Sequence, residues 1–311
     1  MLKLAAIVGP TGVGKTNISV KVAQSINGEI LSCDSMQIYK GMDIGTAKIN
    51  ENEKMGVNHH LIDIVQPHEN FTVADYQKKA KELIENINQK NKLPILVGGT
   101  GLYYQSVVDN YHFFPQKKQE AVRKKWEKKY YEKGLENLYL ELKKNDPEYA
   151  NKISTNDKKR IIRALEVFDI TSKPFSHLQT RQGKTYNLKA IGLYLERKYL
   201  YEHIEQRVDK MISKGLIEEV SELRNKGYDT SLNSMQALGY KQVFSYLEGM
   251  ITYDEMIKEI KKQTRRYAKR QLTWFKKDNR INWLNVQGYE NNPKLLVEKI
   301  IKLIEGVSPR V

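Results

Sequence analysis

The sequence predicts an α/β fold: a P-loop NTPase-like parallel sheet flanked by helices, with an all-helical domain inserted into it. Three observations carry that expectation. Residues 3–8, Lys-Leu-Ala-Ala-Ile-Val, form a short apolar run that ends in a glycine-rich turn and leads at once into a helical stretch. Further strand-length apolar runs then alternate with segments at helical spacing, an order that implies parallel strands joined by crossover helices. From about residue 114 to 184 the pattern changes to long Lys-, Glu- and Tyr-rich helices with few β-branched residues. The expected division is a core of residues 1–113 and 185–311 and a helical insertion of residues 114–184.

Taken in order, residues 3–8 make the first strand and residues 16–25 the helix after the turn. Residues 29–33, 60–65 and 94–97 are the next apolar runs. Between the last two, Val73, Tyr76, Ala80, Leu83, Ile84 and Ile87 recur at helical spacing with Lys and Glu on the other face, which predicts a helix over 73–91. The insertion is broken at Asp146-Pro147 and Lys173-Pro174, because proline cannot continue a helix. Residues 188–195 return as a strand. Helices follow over 199–214 and 216–226, the second stopped by Gly227. A basic helix over 253–277, a strand over 281–284 and an amphipathic helix over 293–304 come last.

With 40% hydrophobic and 29% charged residues, the composition is that of a globular protein rather than a disordered or fibrous one. No apolar run approaches the roughly 20 residues of a membrane span, so no membrane partner is expected. Residues 1–8 read as a buried strand rather than a secretory signal, and a cytoplasmic location is expected. The single cysteine, Cys33, permits neither an internal disulfide nor a thiolate zinc site. His59 and His60 would face opposite ways on a strand and are read as structural. No feature specifies an oligomer, and a monomer is expected. The charge is more telling. Residues 1–115 hold 11 basic and 11 acidic groups, whereas residues 116–184 hold 18 and 10 and residues 258–280 hold 10 and 2. The net charge of +15 is thus concentrated in two blocks, which favours a nucleic-acid partner over simple solubility.

Gly9-Pro10-Thr11-Gly12-Val13-Gly14-Lys15-Thr16 matches the phosphate-binding pattern G-x-x-x-x-G-K-[ST] at every position and lies between a strand and a helix. The glycines let backbone N–H groups surround a phosphate, and the helix N-terminus adds partial positive charge. Lys15 is then expected on the outer phosphate and the Thr16 hydroxyl on a Mg²⁺ ion. NTP hydrolysis normally places a metal-binding aspartate after an apolar strand, and here Ile95-Leu96-Val97 runs into Gly98-Gly99-Thr100 instead. The second strand delivers Asp34-Ser35-Met36-Gln37 to the sheet edge where ligands of open α/β folds bind. Asp34 is a candidate general base, its plainer role being a turn cap.

These segments resemble the tRNA dimethylallyltransferases, also called tRNA isopentenyltransferases. The resemblance extends from the phosphate loop through residues 34–48 (Asp-Ser-Met-Gln-Ile-Tyr and on to Thr-Ala-Lys), 59–63, Gly98-Gly99-Thr100-Gly101-Leu102-Tyr103, 160–167, 204–207, 237–241 and 268–275, covering nearly the whole chain in order. It implies transfer of a dimethylallyl group from dimethylallyl diphosphate to N6 of the adenosine 3′ of the tRNA anticodon, with release of pyrophosphate. It also implies a diphosphate donor in the loop at residues 9–16, Asp34 as the base with Thr100 beside it, Ser35, Met36 and Gln37 against the RNA, and Arg207 on the leaving pyrophosphate. Stabilising that anion suits an allylic carbon, which carries developing positive charge.

The adenine of an anticodon stem-loop must be unstacked into a channel, at a cost of a few kcal/mol that phosphate contacts offset. The basic blocks supply candidates for those contacts: Arg123, Lys159, Arg160 and Arg163, with Ile161 and Ile162 in the same motif, and Arg265, Arg266, Lys269 and Arg270. Trp274 is open to a stacking or a core role. Two other readings share parts of this pattern. An adenylate isopentenyltransferase or another small-nucleotide transferase or kinase needs the phosphate loop and Asp34, but neither basic block nor insertion. An RNA-binding ATPase switch needs the acid that Gly98-Gly99-Thr100 replaces.

Overall fold

The computed structural model describes residues 1–113, 119–178, 185–289 and 292–306. In chain order the first half of the core runs β1 (Leu2–Val8), α1 (Lys15–Ser25), β2 (Gly28–Cys33), α2 (Glu51–Lys54), β3 (His59–His60), α3 (Val73–Gln89), β4 (Leu93–Gly98) and α4 (Gly101–Val108). The insertion holds α5 (Gln119–Asn145), α6 (Pro147–Ala150), α7 (Lys158–Thr171) and α8 (Phe175–Leu178). The core resumes with β5 (Tyr186–Tyr194), α9 (Arg197–Ser213), α10 (Leu216–Asn225), α11 (Tyr240–Leu247), α12 (Tyr253–Phe275), β6 (Ile281–Asn285) and α13 (Pro293–Glu305). Two compact units result, Met1–Val108 with Lys184–Val311, and Asp109–Gly183.

The six strands form one parallel sheet in the order β3-β2-β4-β1-β5-β6. β1 sits between β4 and β5, and its residues Ala5 to Val8 are fully buried, as a strand covered on both faces must be. One face carries Ala5, Ile7, Ile95 and Ile191 against Val20 and Ala23 of α1 and Ile300 of α13. The other carries Leu4, Ala6, Leu31 and Leu96 against Tyr76, Ala80, Ile84 and Ile87 of α3. Alternation along a strand therefore assigns each residue to one of two helical layers. Helix starts are marked by side chains: Thr72 and Asp75 form a capping box on α3, and Thr252 and Glu255 form one on α12. The consequence for function is positional. The carboxyl ends of β1, β2 and β4 bring together the loops after Val8, Cys33 and Gly98.

Among the elements that differ from expectation are the third strand and the helices α2, α4 and α11. The run over 60–65 predicted a strand, but only His59 and His60 pair with β2. Leu61 (φ 64°) and Asp63 (φ 54°) take left-handed backbone, which ends strand geometry. Ile64 and Val65 then pair with the loop after β2, through Ile64 N–H to the Ile38 carbonyl at 2.8 Å. No helix was expected over α2, α4 or α11. Both histidines serve the fold, His59 Nδ1 lying 2.8 Å from the Val57 carbonyl and His60 Nε2 2.7 Å from Glu29.

The insertion is helical. Trp126, Leu138, Leu142, Ile161 and Leu165 form its core, and α5 is interrupted at Gly134 (φ 77°, ψ 169°). The break read at Asp146-Pro147 is there: Asp146 caps α6 through Tyr149 N–H and also accepts from the Ser176 N–H at 2.8 Å and hydroxyl at 2.7 Å. Ile161 and Ile162, expected among the RNA contacts, are 0% and 4% exposed. Their side chains hold α7 in this core.

Candidate active site

The phosphate loop is built as its glycines require. Gly12 and Gly14 both sit at φ 84°, and a Cβ on Gly9 would lie 2.3 Å from the Leu193 carbonyl oxygen of β5. The loop delivers Thr11, Lys15 and Thr16 to a cavity of about 390 Å³. Asp34, Ser35, Met36 and Gln37 enter the same cavity from the end of β2, Gly98 and Gly99 from the end of β4, Arg207 from α9, and Tyr267, Arg270 and Gln271 from α12. Ile30, Ile49, Val97, Val208 and Ile260 supply apolar wall.

The electrostatics are those of an anion site. Lys15 donates to the Pro10 carbonyl at 2.8 Å. Burial pushes its pKa down to about 7, and the nearby Arg207 pushes in the same direction against the pull of Asp34. Burial also lowers the pKa of Arg207, which Asp34 opposes. Two cations held together away from water are stabilised by an incoming anion that neutralises both. Arg207 is held by the Thr46 carbonyl at 3.4 Å. The loop carrying Thr46 is held in turn by Glu219, whose carboxylate accepts from the N–H groups of Asp43, Ile44 and Gly45 and from the Tyr240 hydroxyl at 2.6 Å.

Asp34 closes a turn at the edge of the cavity. Its Oδ1 accepts from the Met36 N–H at 2.9 Å, closing a turn, while the carboxylate lines the cavity. Thr100 fixes that turn from behind: its hydroxyl accepts from the Ser35 N–H at 3.0 Å, and its own N–H donates to the Cys33 carbonyl at 3.0 Å. Cys33 is buried, and burial raises its thiol to about 12, so it is inert packing. Gln37 uses its amide within its own loop, accepting from Ser32 Oγ at 2.9 Å and donating to the Thr46 carbonyl at 3.3 Å.

The basic residues separate by position. Arg270 lines the cavity, whereas Arg265, Arg266 and Lys269 line a groove with Arg197, Tyr201, Glu205 and Lys262. In the insertion, Arg123 and Arg163 bind the buried carboxylate of Glu166 at 2.6 and 3.2 Å, while Lys159 and Arg160 are exposed. Tyr267, Gln271 and Glu219 had no assigned role in the sequence. A magnesium ion takes one or two protein oxygens and fills its shell with water and phosphate oxygens. Thr16 at the head of α1 fits that sparse demand, and among the described residues no three His, Cys, Asp or Glu side chains gather into a dedicated metal cage.

A glycine-rich phosphate loop at the centre of a parallel sheet, with a carboxylate and two half-buried cations on the same cavity, defines an enzyme of diphosphate or triphosphate chemistry. The family model described as IPP transferase matches residues 37–278. A tRNA dimethylallyltransferase of Syntrophomonas wolfei is 62% identical over 98% of each chain. The solved structure of a full-length tRNA isopentenylpyrophosphate transferase from Bacillus halodurans superposes with a TM-score of 0.74 at 43% identity, over 99% of this chain and 98% of that one. A eukaryotic dimethylallyltransferase solved acting on tRNA gives a TM-score of 0.83 at 27% identity, over 100% of this chain and 81% of that one. The chain belongs to the tRNA dimethylallyltransferase family, and it is a prenyltransferase that transfers a dimethylallyl group to tRNA. No helix among the described residues is long and apolar enough to cross a membrane.

Proposed function

We propose that the donor is dimethylallyl diphosphate held by residues 9–16, and that the acceptor is N6 of the adenosine 3′ of the anticodon, in a cytoplasmic reaction that releases pyrophosphate. The observation that carries this is the meeting of Asp34, Lys15 and Arg207 on one cavity. The C1–O bond of the donor breaks as the N6–C1 bond forms, and Asp34 takes the proton from N6. Lys15 and Arg207 take up the negative charge that develops on the leaving oxygen, and the apolar wall keeps water from the allylic carbon. Thr16 would hold Mg²⁺, which when bound adds further charge stabilisation to the diphosphate. Thr100 holds the Asp34 turn in place. RNA phosphates are met by Arg265, Arg266, Lys269 and Arg270, and in the insertion by Lys159 and Arg160, with Arg123 and Arg163 contributing beyond their bonds to Glu166.

The test offers labelled dimethylallyl diphosphate with Mg²⁺ to unmodified tRNA and to AMP. Label in tRNA, recovered on N6 of the adenosine after the anticodon, is the expected result. Label in AMP alone would establish the small-nucleotide reading instead, and RNA-stimulated ATP hydrolysis would establish the switch.

A further inference from the structure

One side chain bridges the phosphate loop and the Gly98-Gly99-Thr100 segment. Gln271, on α12 and 5% exposed, accepts from the Thr11 N–H at 2.9 Å through Oε1 and donates from Nε2 to the Gly99 carbonyl at 2.9 Å. A primary amide presents an acceptor and a donor at the two ends of one rigid plane; a carboxylate lacks the donor and an aliphatic chain lacks both. Gly99 is the complementary half of the arrangement, since a Cβ there would lie 2.1 Å from Gln271 Nε2. The Pro10–Thr11 peptide is thereby held at both ends. Its carbonyl takes the Lys15 ammonium, and its N–H goes to Gln271. One turn earlier on α12, Tyr267 lines the same cavity.

We propose that Gln271 is a positioning residue for prenyl transfer, fixing the phosphate loop, and with it Lys15, at a set spacing from the Gly99-Thr100 segment that supports Asp34. The proposal rests on the reading that this loop holds the prenyl diphosphate. Its effect falls on the anion site and not on the grip on RNA, because neither partner of the amide is among the basic residues. The phosphate loop follows β1 and the Gly99-Thr100 segment follows β4, and Gln271 is a polar link that reaches both at once.

Full-length wild type, Gln271→Ala, Gln271→Met, Gly99→Ala and the Gly99→Ala/Gln271→Ala pair are compared by calorimetry with inorganic pyrophosphate and Mg²⁺, and by filter binding with unmodified tRNA. Either Gln271 variant is expected to weaken pyrophosphate binding 10-fold or more and to leave the tRNA Kd within two-fold. Gly99→Ala alone reproduces the loss, because its methyl displaces the amide. On top of Gln271→Ala it adds nothing, because the space is vacated. Unchanged pyrophosphate affinity, equal losses for pyrophosphate and tRNA, or additive losses in the pair would each overturn the proposal. If Gln271→Ala does not fold, Gln271→Met keeps the chain length and packing and carries the same comparison. Wild type that binds pyrophosphate yet transfers nothing to tRNA counts against the function proposed above and leaves the pyrophosphate comparison decisive for Gln271.

Discussion

At the scale of single residues, the proposed mechanism assigns the proton and the anion to different side chains. Asp34→Ala is expected to lower turnover by roughly 10² to 10⁴ while tRNA affinity stays within a few-fold, since a general base contributes to the transition state and little to the grip. Single-turnover transfer alongside tRNA binding checks this, and normal turnover would reduce Asp34 to its turn with Met36. Lys15 makes a different test. Its pKa lies well below the ordinary 10.5, near 7, because burial and Arg207 disfavour the charge. Between about pH 7 and 10.5 the unfolded chain therefore binds more protons than the folded one, and stability rises with pH across that window. Lys15→Met removes the strain, so the variant is expected to melt higher than wild type at pH 6 to 7, with the gap closing toward pH 10. Pyrophosphate affinity is expected to fall as pH rises above 7 in wild type, and Lys15→Met is expected to lose that part of the dependence. The same scale marks what the sequence could tell. Lys15, Thr16 and Asp34 are legible because each acts inside a local motif. Gln271 and Glu219 are not, because their partners lie 260 and about 175 residues away and neither residue type announces a bridge.

At the scale of elements, α12 has two jobs on two faces. Buried Met256, Ile260, Ala268 and Phe275 fasten it to the core, and its cations divide between the cavity and the outer groove. Changing Arg265, Arg266 and Lys269 together to glutamine is expected to weaken tRNA binding and to flatten the salt slope by up to about one unit per lost phosphate contact. Turnover at saturating tRNA is expected to hold. Arg270 is kept out of this set because it lines the cavity; adding Arg270→Gln is expected to lower turnover as well. A triple variant with wild-type affinity and slope would leave the groove as a solvated face. Element boundaries were legible where periodicity and caps agree, as on α3 with Thr72 and Asp75. They failed at 61–65, where an apolar run is bent by left-handed Leu61 and Asp63 to close against the loop after β2. Apolarity reports burial in both cases, and only the backbone angles distinguish a strand from a packed loop.

At the scale of the whole molecule, the proposed reading makes the distribution of charge the basis on which the enzyme selects its acceptor. The first 115 residues are neutral and contain the phosphate loop, Asp34 and Thr100, and Arg207 also lies outside both basic blocks, so the proposed chemistry needs no excess charge of its own. The excess lies at residues 116–184 and 258–280, far larger than a free nucleotide calls for. Binding through several phosphates releases a counterion for each, so log K for tRNA is expected to fall linearly with log salt, with a slope between about −0.7 and −0.9 per phosphate contacted. AMP offers one phosphate and cannot share that slope. Transfer measured at sub-saturating acceptor from 50 to 300 mM salt is therefore expected to drop steeply for tRNA, and at saturating tRNA to change little, because Asp34, Lys15 and Arg207 act within a partly enclosed cavity where screening is weaker. Transfer to AMP is expected to be slower by at least about 10³ in kcat/KM at every salt, since a lone nucleotide forfeits the phosphate contacts that offset splaying and ordering the base. Equal efficiency on AMP, together with a tRNA affinity indifferent to salt, would mean that both basic blocks are solvated surface and that the acceptor is the small nucleotide.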